Sequence, residues 1–160
     1  MCGIAGIIGP KINNEELDKM LEAQKHRGPE HTGTYIDSCI AAIGHNRLSI
    51  IDLSPEANEP FCDNSARYYL SFNGEIYNYK ELREELRLSY NFKTASDTEV
   101  LLAAFLKWGK DCLQKFNGMF AFAIWDSAEK KLFAARDRFV VKPFYYSEAN
   151  GNLYFCSEIK

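Results

Sequence analysis

The spacing of apolar residues along the chain predicts many short strands. Residues 2–9 form an apolar, isoleucine-rich run that ends at a Gly-Pro pair, which is typical of a buried strand. Further strand-like segments are residues 33–37, 40–44, 47–51, 68–72, 119–126, 131–136, 144–147 and 153–156. Both alternating sets of positions are apolar in residues 119–125, so we expect that strand to be covered on both faces.

Three segments have helical spacing. Asn14 is predicted to cap a helix that turns Leu17, Met20 and Leu21 to one face, and residues 79–88 form the second helical segment. The third helix, residues 97–108, opens with a Ser-Asp-Thr-Glu capping box and ends at glycine 109. Many short strands with helices set apart from them predict an α+β fold built on antiparallel sheet.

Size and charge narrow the class of protein. A chain of 160 residues is the usual size of one domain. Its formal net charge is −3 and no basic block is present, which argues against nucleic acid as a partner. The longest apolar run has seven residues, far below the roughly 20 that a membrane span needs. The N-terminus lacks the positive region of a signal peptide, so we expect a soluble protein with no membrane partner.

The cysteines point to a reducing compartment. Their count is odd and no C-x-x-C pair occurs, which disfavours both a disulfide framework and a zinc site. The three histidines also lack helical i, i+4 spacing, so no metal site is predicted. We therefore expect reduced thiols and a cytoplasmic location, with four of the cysteines as small packing residues. These four are Cys39, Cys62, Cys112 and Cys156.

The fifth cysteine, Cys2, is a candidate nucleophile because of its position. A small residue after Met1 is the setting in which the initiator methionine is normally removed, which would leave Cys2 at the N-terminus. Its α-amine would then titrate near pH 8 beside a thiol that titrates near 8.5, so the residue would carry both a nucleophile and a base. The alternative is a buried cysteine with no chemical role.

Three further features suggest a binding site. Asn73 and Gly74 follow an aromatic strand, where an amide and a backbone N–H can both point at a developing oxyanion; the alternative is a plain Asn-Gly turn. Arg47 could hold a carboxylate through two hydrogen bonds or could be a solvated edge residue. Asp97 could bind an ammonium group or could only complement a helix dipole. Together with a thiol, these groups suit glutamine, whose side-chain amide would be attacked.

Seven segments also carry a family resemblance. In order they read MCGIAGIIG, HRGPEHTG, GHNRLSIIDLS, FNGEIYN, SDTEVLL, GMFAFAIWD and ARDR. The chain resembles, over residues 1–160, the glutaminase (type-2 glutamine amidotransferase) domain of glutamine-hydrolysing asparagine synthases, a class II amidotransferase among the N-terminal nucleophile hydrolases. The fold that this resemblance implies is a four-layer αββα sandwich of antiparallel sheets.

The resemblance also implies roles for individual residues. Cys2 would form a γ-glutamyl thioester with its own amine as base, and Asn73 and Gly74 would form the oxyanion hole. Arg47 would hold the α-carboxylate of glutamine and Asp97 its α-ammonium group. The loop at residues 27–29 should lie near the nucleophile. The backbone lining the pocket would come from Leu48, Ser49, Ile50, Ile51, Gly74 and Glu75.

Two departures from the family pattern matter. Val140 stands where the family usually has glycine, so we expect either a different local backbone or no positive φ there, and no effect on the chemistry. Residues 1–160 do not include the family's synthetase half, so we expect no cofactor in this part of the chain; ATP and Mg would belong to that half.

The resemblance implies three partners: glutamine as substrate, a synthetase domain or subunit as ammonia acceptor, and a second copy in a homodimer. The alternative function is a non-catalytic, glutamine-sensing module that kept the fold. All the site residues named above are present, which favours the enzyme.

Overall fold

A computed structural model describes residues 1–38 and 40–159, and it contains nine strands and three α-helices in that part of the chain. The strands are β1 (Gly3–Ile8), β2 (His31–Asp37), β3 (Ala41–Arg47), β4 (Phe61–Cys62), β5 (Tyr68–Ile76), β6 (Gly118–Asp126), β7 (Lys131–Arg136), β8 (Tyr145–Ala149) and β9 (Asn152–Cys156). The helices are α1 (Asn14–Ala23), α2 (Tyr79–Leu86) and α3 (Asp97–Trp108), with 3₁₀ turns at Lys25–Arg27, Pro55–Ala57 and Gly109–Gln114.

The strands form two antiparallel sheets. The first has the order β2-β3-β1-β9-β8, and the second has the order β4-β5-β6-β7. Helix α1 packs on the outer face of the first sheet through Leu17 and Leu21, while α2 and α3 cover the outer face of the second. The α+β class and the four-layer αββα arrangement are therefore confirmed. No helix within the described residues combines the length and the apolar character that crossing a membrane requires.

Strand β6 lies in the middle of the sandwich, as its doubly apolar pattern predicts. Phe122 and Ile124 pack into the cluster that α2 and α3 form with the second sheet. Ala123 and Trp125 point the other way and pack between the sheets with residues such as Phe155. Because side chains alternate along a strand, a strand with both sets apolar can be buried only between two layers.

The cap of α3 is only half of the predicted capping box. Ser96 Oγ accepts the backbone N–H of Glu99 at 3.2 Å, as expected. The Glu99 carboxylate does not return to Ser96, and instead accepts the backbone N–H groups of Lys93 and Thr94 at 2.7–3.1 Å. Helix α1 also differs by one position, since Asn13 and not Asn14 caps it.

Two strand boundaries were predicted wrongly. Residues 47–51 do not form a strand: Arg47 ends β3, and the apolar residues after it lie in a loop where Ile50 is 74% exposed. Strand β5 does not stop before Asn73 and Gly74 but runs through them to Ile76. The reason is that β6 pairs with β5 along its full length, so sheet pairing overrides the local turn preference.

The cysteine predictions have mixed outcomes. Cys112 is fully buried, as expected of a packing residue, whereas Cys62 and Cys156 are only half-buried. Cys39 lies outside the described residues. The four described cysteines are all free thiols.

The loop after β7 is organised around one carboxylate. Asp137 accepts the backbone N–H groups of Phe139, Val141 and Lys142 at 3.0–3.1 Å. Val140 between them has a φ of 61°, so the expectation that the backbone avoids a positive φ here is wrong. A β-branched residue in this conformation is strained by about 1–2 kcal/mol.

Replacing Val140 by glycine should stabilise the protein. The strain is relieved, and little burial is lost because Val140 is 55% exposed. After the entropic cost of glycine, about 1 kcal/mol of stabilisation should remain, which raises Tm by about 2–4 °C in a thermal melt. Val141→Gly is the matched control: its site lacks a positive φ, so we expect a small loss of stability. Equal shifts in the two variants would contradict the strain at Val140.

Candidate active site

One cavity collects most of the predicted site residues. It has a volume of about 160 Å³ and lies where the N-terminus, β3, β5 and the start of α3 meet. The predicted residues on its wall are Cys2, Arg47, Leu48, Ile50, Ile51, Asn73, Gly74, Glu75 and Asp97. Ser49 is not part of the wall. Its backbone N–H donates instead to Glu30 at 2.7 Å. No group of three or more His, Cys, Asp or Glu side chains in residues 1–38 and 40–159 could hold a metal ion.

Cys2 directly precedes β1, and the loop after β3 holds its thiol. The sulfur accepts the Leu48 N–H at 3.4 Å and lies 3.7 Å from the Leu48 carbonyl oxygen. The Cys2 carbonyl oxygen accepts Arg27 Nε at 2.9 Å, so the expected closeness of the residue 27–29 loop is confirmed at Arg27. Burial raises the pKa of the Cys2 thiol to about 11, and the negative charge of Glu59 adds to the rise. The thiol therefore needs a base to react at neutral pH.

Histidine does not supply that base. His45 lies on the cavity wall, but burial lowers its pKa to about 3, and its Nε2 lies 3.0 Å from the Phe72 carbonyl oxygen. Among the described residues, no histidine is hydrogen-bonded to the Cys2 sulfur. Removal of Met1 would free the α-amine of Cys2, which lies in the same residue as the thiol.

Asn73 offers an unused donor to the cavity. The residue is 1% exposed, and its side-chain Nδ2 has no hydrogen-bond partner among the described residues. A buried amide without an acceptor costs about 1–3 kcal/mol. Because its Nδ2 has no acceptor, Asn73 is suited to donate a hydrogen bond to an oxygen of a ligand bound in the cavity.

Gly74 offers a second donor through its backbone. Opposite residues on antiparallel strands alternately exchange both hydrogen bonds or neither. Gly74 faces Phe120 on β6, and both backbone groups of Phe120 bond to Asp137 on the far side, at 2.8 and 3.2 Å. The Gly74 N–H therefore points away from β6, to the edge of β5 that β4 leaves uncovered because β4 pairs only with Tyr69 and Leu70.

The backbone amides of Phe72 and Ile76, two residues before and two residues after Gly74, point to the same edge, because alternate residues of a strand have the same orientation. Both are already occupied by carboxylates. The Phe72 N–H donates to Glu59 at 2.5 Å, and the Ile76 N–H donates to Asp97 at 3.0 Å. Two side chains thus take the place of a neighbouring strand and leave Gly74 between them for a ligand.

Arg47 is anchored with one edge of its guanidinium group free. Its Nη1 donates to the Ser54 carbonyl at 3.0 Å and to Asn58 Oδ1 at 2.7 Å, and its Nη2 donates to the Asp52 carbonyl. Three of the five N–H donors are thereby used. The remaining two donors, on Nε and Nη2, correspond to the Nε and Nη2 groups with which Arg67 binds both oxygens of Asp126. They would suit a carboxylate held in two hydrogen bonds.

Asp97 lies at the first turn of α3, but it does more than complement the helix dipole. The side chain is buried on the cavity wall, and its Oδ2 accepts the Ile76 N–H. Burial raises the pKa of Asp97 to about 6, so the group is mostly anionic at neutral pH. A buried anion of this kind is suited to an ammonium group of a ligand.

Comparison with known proteins decides the family. The family model described as glutamine amidotransferase domain matches residues 1–160. The chain belongs to this family. It is 42% identical over 167 residues to asparagine synthetase [glutamine-hydrolyzing] 1 of Bacillus subtilis strain 168, covering 100% of this chain and 26% of that protein.

A second relative and a solved structure agree. The domain is 41% identical over 179 residues to putative asparagine synthetase [glutamine-hydrolyzing] 2 of Methanocaldococcus jannaschii, covering 100% of this chain and 34% of that protein. It therefore spans about a quarter to a third of the relatives it matches. Glutamine phosphoribosylpyrophosphate amidotransferase from B. subtilis shares its fold, with a TM-score of 0.83 and 24% identity over 98% of this chain and 42% of that chain. This likeness confirms the fold class.

The amidotransferase domain also has a buried acid in its site that sequence reasoning missed. Glu59 lies in the loop before β4, and its carboxylate accepts the Phe72 N–H and the Thr98 hydroxyl, the latter at 3.0 Å. Burial raises the pKa of Glu59 to about 8. No local pattern marks this residue, because its burial depends on contacts with β5 and α3.

Glu59 should make the stability of the domain fall with rising pH. Its carboxyl ionises near pH 4.5 when unfolded but near 8 when folded, so stability is lost as the pH rises between those values. Glu59→Gln removes this loss and should be stabilised relative to wild type at pH 8.5 compared with pH 5, by on the order of 1–3 kcal/mol. Urea denaturation at both pH values measures the difference.

The exposed Glu84→Gln is the matched control and should follow the wild-type pH profile. A Glu59→Gln profile parallel to wild type would show that Glu59 is ionised in the folded domain throughout that range.

Proposed function

We propose that the domain hydrolyses the side-chain amide of glutamine through a thioester on Cys2. The observation that carries the proposal is the pair of unused donors, Asn73 Nδ2 and the Gly74 N–H, on the same cavity wall as the thiol. A carbonyl oxygen that becomes negative in the transition state needs two such donors.

The steps follow from these positions. In the Met1-free domain, the α-amine of Cys2 takes the thiol proton, and the sulfur attacks the amide carbon of glutamine. The oxyanion that forms is held by Asn73 and Gly74. The protonated amine then gives its proton to the leaving nitrogen, so that ammonia departs and a γ-glutamyl thioester remains. Water, deprotonated by the same amine, attacks the thioester; the C–S bond breaks, glutamate leaves, and the protonated amine returns its proton to the Cys2 sulfur.

The ends of the substrate would be held by two charged residues. The free edge of Arg47 donates two hydrogen bonds to the α-carboxylate, and Asp97 binds the α-ammonium group. The backbone around Leu48 lies against Cys2 and closes the wall between these groups. An amino acid of fixed length is thereby selected, because its two charged groups and its amide must reach three separate places.

The fate of the ammonia belongs to the same proposal. The relatives are named as glutamine-hydrolysing asparagine synthetases, and the domain spans only part of them. We infer that a synthetase domain or subunit receives the ammonia and that ATP and Mg act there. The free thiols of the described cysteines support a cytoplasmic location. A homodimer stays a prediction.

The test of the proposal is an ammonia assay on Met1-free domain, with intact mass to confirm the N-terminus. Glutamine should give ammonia and glutamate in equal amounts. Asparagine is the matched control: it is one methylene shorter and should give at least tenfold less ammonia, because its amide falls short of Cys2 when its charged groups are bound. Glutamine binding without ammonia release would contradict catalysis and support a glutamine-sensing module.

Asn73→Ala should lower kcat by roughly 10²–10³-fold. The side chain is proposed to contact the oxygen only when it carries negative charge, so KM for glutamine should change little. Steady-state kinetics on Met1-free protein separate the two constants. A large rise in KM with an unchanged kcat would contradict the oxyanion role. Ser71→Ala is the control for general effects of truncation in β5. Ser71 is on the same strand, and its buried hydroxyl has no hydrogen-bond partner among the described residues.

A further inference from the structure

Lys142 carries a buried ammonium group on the wall of the cavity. The residue is 5% exposed and lies on the cavity wall. Its Nζ lies 3.3 Å from the sulfur of Met1, and among the described residues it forms no ion pair with a carboxylate. A thioether is a weak acceptor, and a buried charge without a counter-charge is costly. This unfavourable burial occurs on the wall of the cavity that also contains Cys2.

The strained loop after β7 holds Lys142 in place. Asp137 binds the backbone N–H of Lys142 at 3.0 Å, and the positive φ of Val140 lets the chain turn so tightly. Phe139 and Val141 point outward and are exposed, whereas Lys142 points inward. The loop therefore directs one long cationic side chain to the cavity.

The charges around Lys142 identify its counterpart. Burial lowers the pKa of Lys142 and the positive charge of Arg27 lowers it further, while Cys2, Glu75 and Asp137 act in the opposite direction. The Asp137 carboxylate is already bound to backbone amides. Glu75 and Cys2 share the cavity wall with Lys142, and the sulfur of Cys2 becomes anionic when it loses its proton in the proposed reaction.

The charged groups near Cys2 and Lys142 differ in how they are held. Glu59 raises the pKa of the thiol, whereas Arg47 and the N-terminal amine lower it. Arg47 is anchored to the loop after β3, and Arg27 is paired with Glu158 at 2.9 Å. Lys142 is the cation of this set that no carboxylate or carbonyl oxygen anchors in the described structure.

We propose that Lys142 is the electrostatic partner of the Cys2 thiolate in the Met1-free domain. This inference rests on the proposed function, in which Cys2 is the nucleophile. When Met1 is absent, the sulfur that contacts Nζ is gone, and Lys142 and Cys2 still share the cavity wall. The thiol proton passes to the α-amine, and the positive charge of Lys142 stabilises the sulfur anion.

The pH dependence of Cys2 alkylation tests this role without any turnover. Iodoacetamide reacts with the thiolate, and peptide mass spectrometry reports Cys2 separately from the other cysteines. In Met1-free Lys142→Met, which keeps the side-chain length, the midpoint of alkylation should move up by about one pH unit. Lys142→Arg should restore most of the shift, and the exposed Lys25→Met should match wild type.

Kinetics give the second readout. Lys142→Met should lower kcat at pH 7 by about tenfold with little change in KM, because Lys142 is proposed to act on the sulfur and not on glutamine. A thermal melt checks folding; if Lys142→Met is unfolded, Lys142→Arg against Lys142→Gln gives the same comparison. An unchanged alkylation midpoint in a folded, charge-removing variant would overturn the role of Lys142. Loss of ammonia release in the wild type itself would instead contradict the proposed function.

Discussion

Ammonia release from glutamine is expected to fall by at least about 10⁴-fold in Cys2→Ala, because Cys2 is the proposed nucleophile. Alanine is also small, so removal of Met1 should proceed as in the wild type. The variant should still bind glutamine, since Arg47 and Asp97 are untouched. The comparison uses Met1-free protein in the same ammonia assay, and isothermal titration measures the binding.

Cys62→Ala is the matched control for Cys2→Ala. Cys62 is a half-buried free thiol on β4, outside the cavity wall, so its loss should leave the rate within about twofold of wild type. Appreciable ammonia release by Cys2→Ala would show that another group attacks the amide and would remove Cys2 from the mechanism.

Retention of Met1 is the second change with a large expected effect. With Met1 attached, the Cys2 nitrogen is part of a peptide bond and cannot accept the thiol proton. Met1 also lines the cavity, where its sulfur contacts Lys142. Loss of a general base typically costs about 10²–10⁴-fold, and Met1 also blocks access, so we expect at least about a 10³-fold loss of rate.

Matched samples for this comparison come from one tagged precursor, cut by a site-specific protease either before Met1 or before Cys2. Intact mass identifies each N-terminus, and the ammonia assay gives the rates. Full activity in the sample that retains Met1 would exclude the α-amine as the base.

The layers of the fold could be predicted from the sequence because a buried strand or helix face has a recognisable pattern of apolar residues. Residues 119–125 are apolar at every position, and that alone places β6 between two layers. The caps of α3 also depend on neighbouring residues, so Ser96 was identified correctly. Asn73 and Gly74 have a strong turn preference, and their place inside β5 became visible only through the pairing with β6.

The site residues also fall into two groups, those that the sequence could identify and those that it could not. Cys2, Arg47, Asn73 and Asp97 could be recognised from residue type and family motifs, and the structure brings them to one cavity. Glu59, His45 and Lys142 were missed, because each becomes a cavity residue only through distant contacts. Lys142 depends on the turn at Val140, and Glu59 depends on the free edge of β5. Short-range patterns carry no information about such contacts.

The most direct test of the central claim is trapping of the thioester on Cys2. Hydroxylamine competes with water for a thioester and converts it to γ-glutamyl hydroxamate, which a colour reaction quantifies. In Met1-free domain with glutamine, hydroxamate should rise with hydroxylamine concentration while glutamate falls by the same amount, and Cys2→Ala should form neither product. Ammonia and glutamate released at the normal rate with no hydroxamate, or hydroxamate formed equally by Cys2→Ala, would contradict the account.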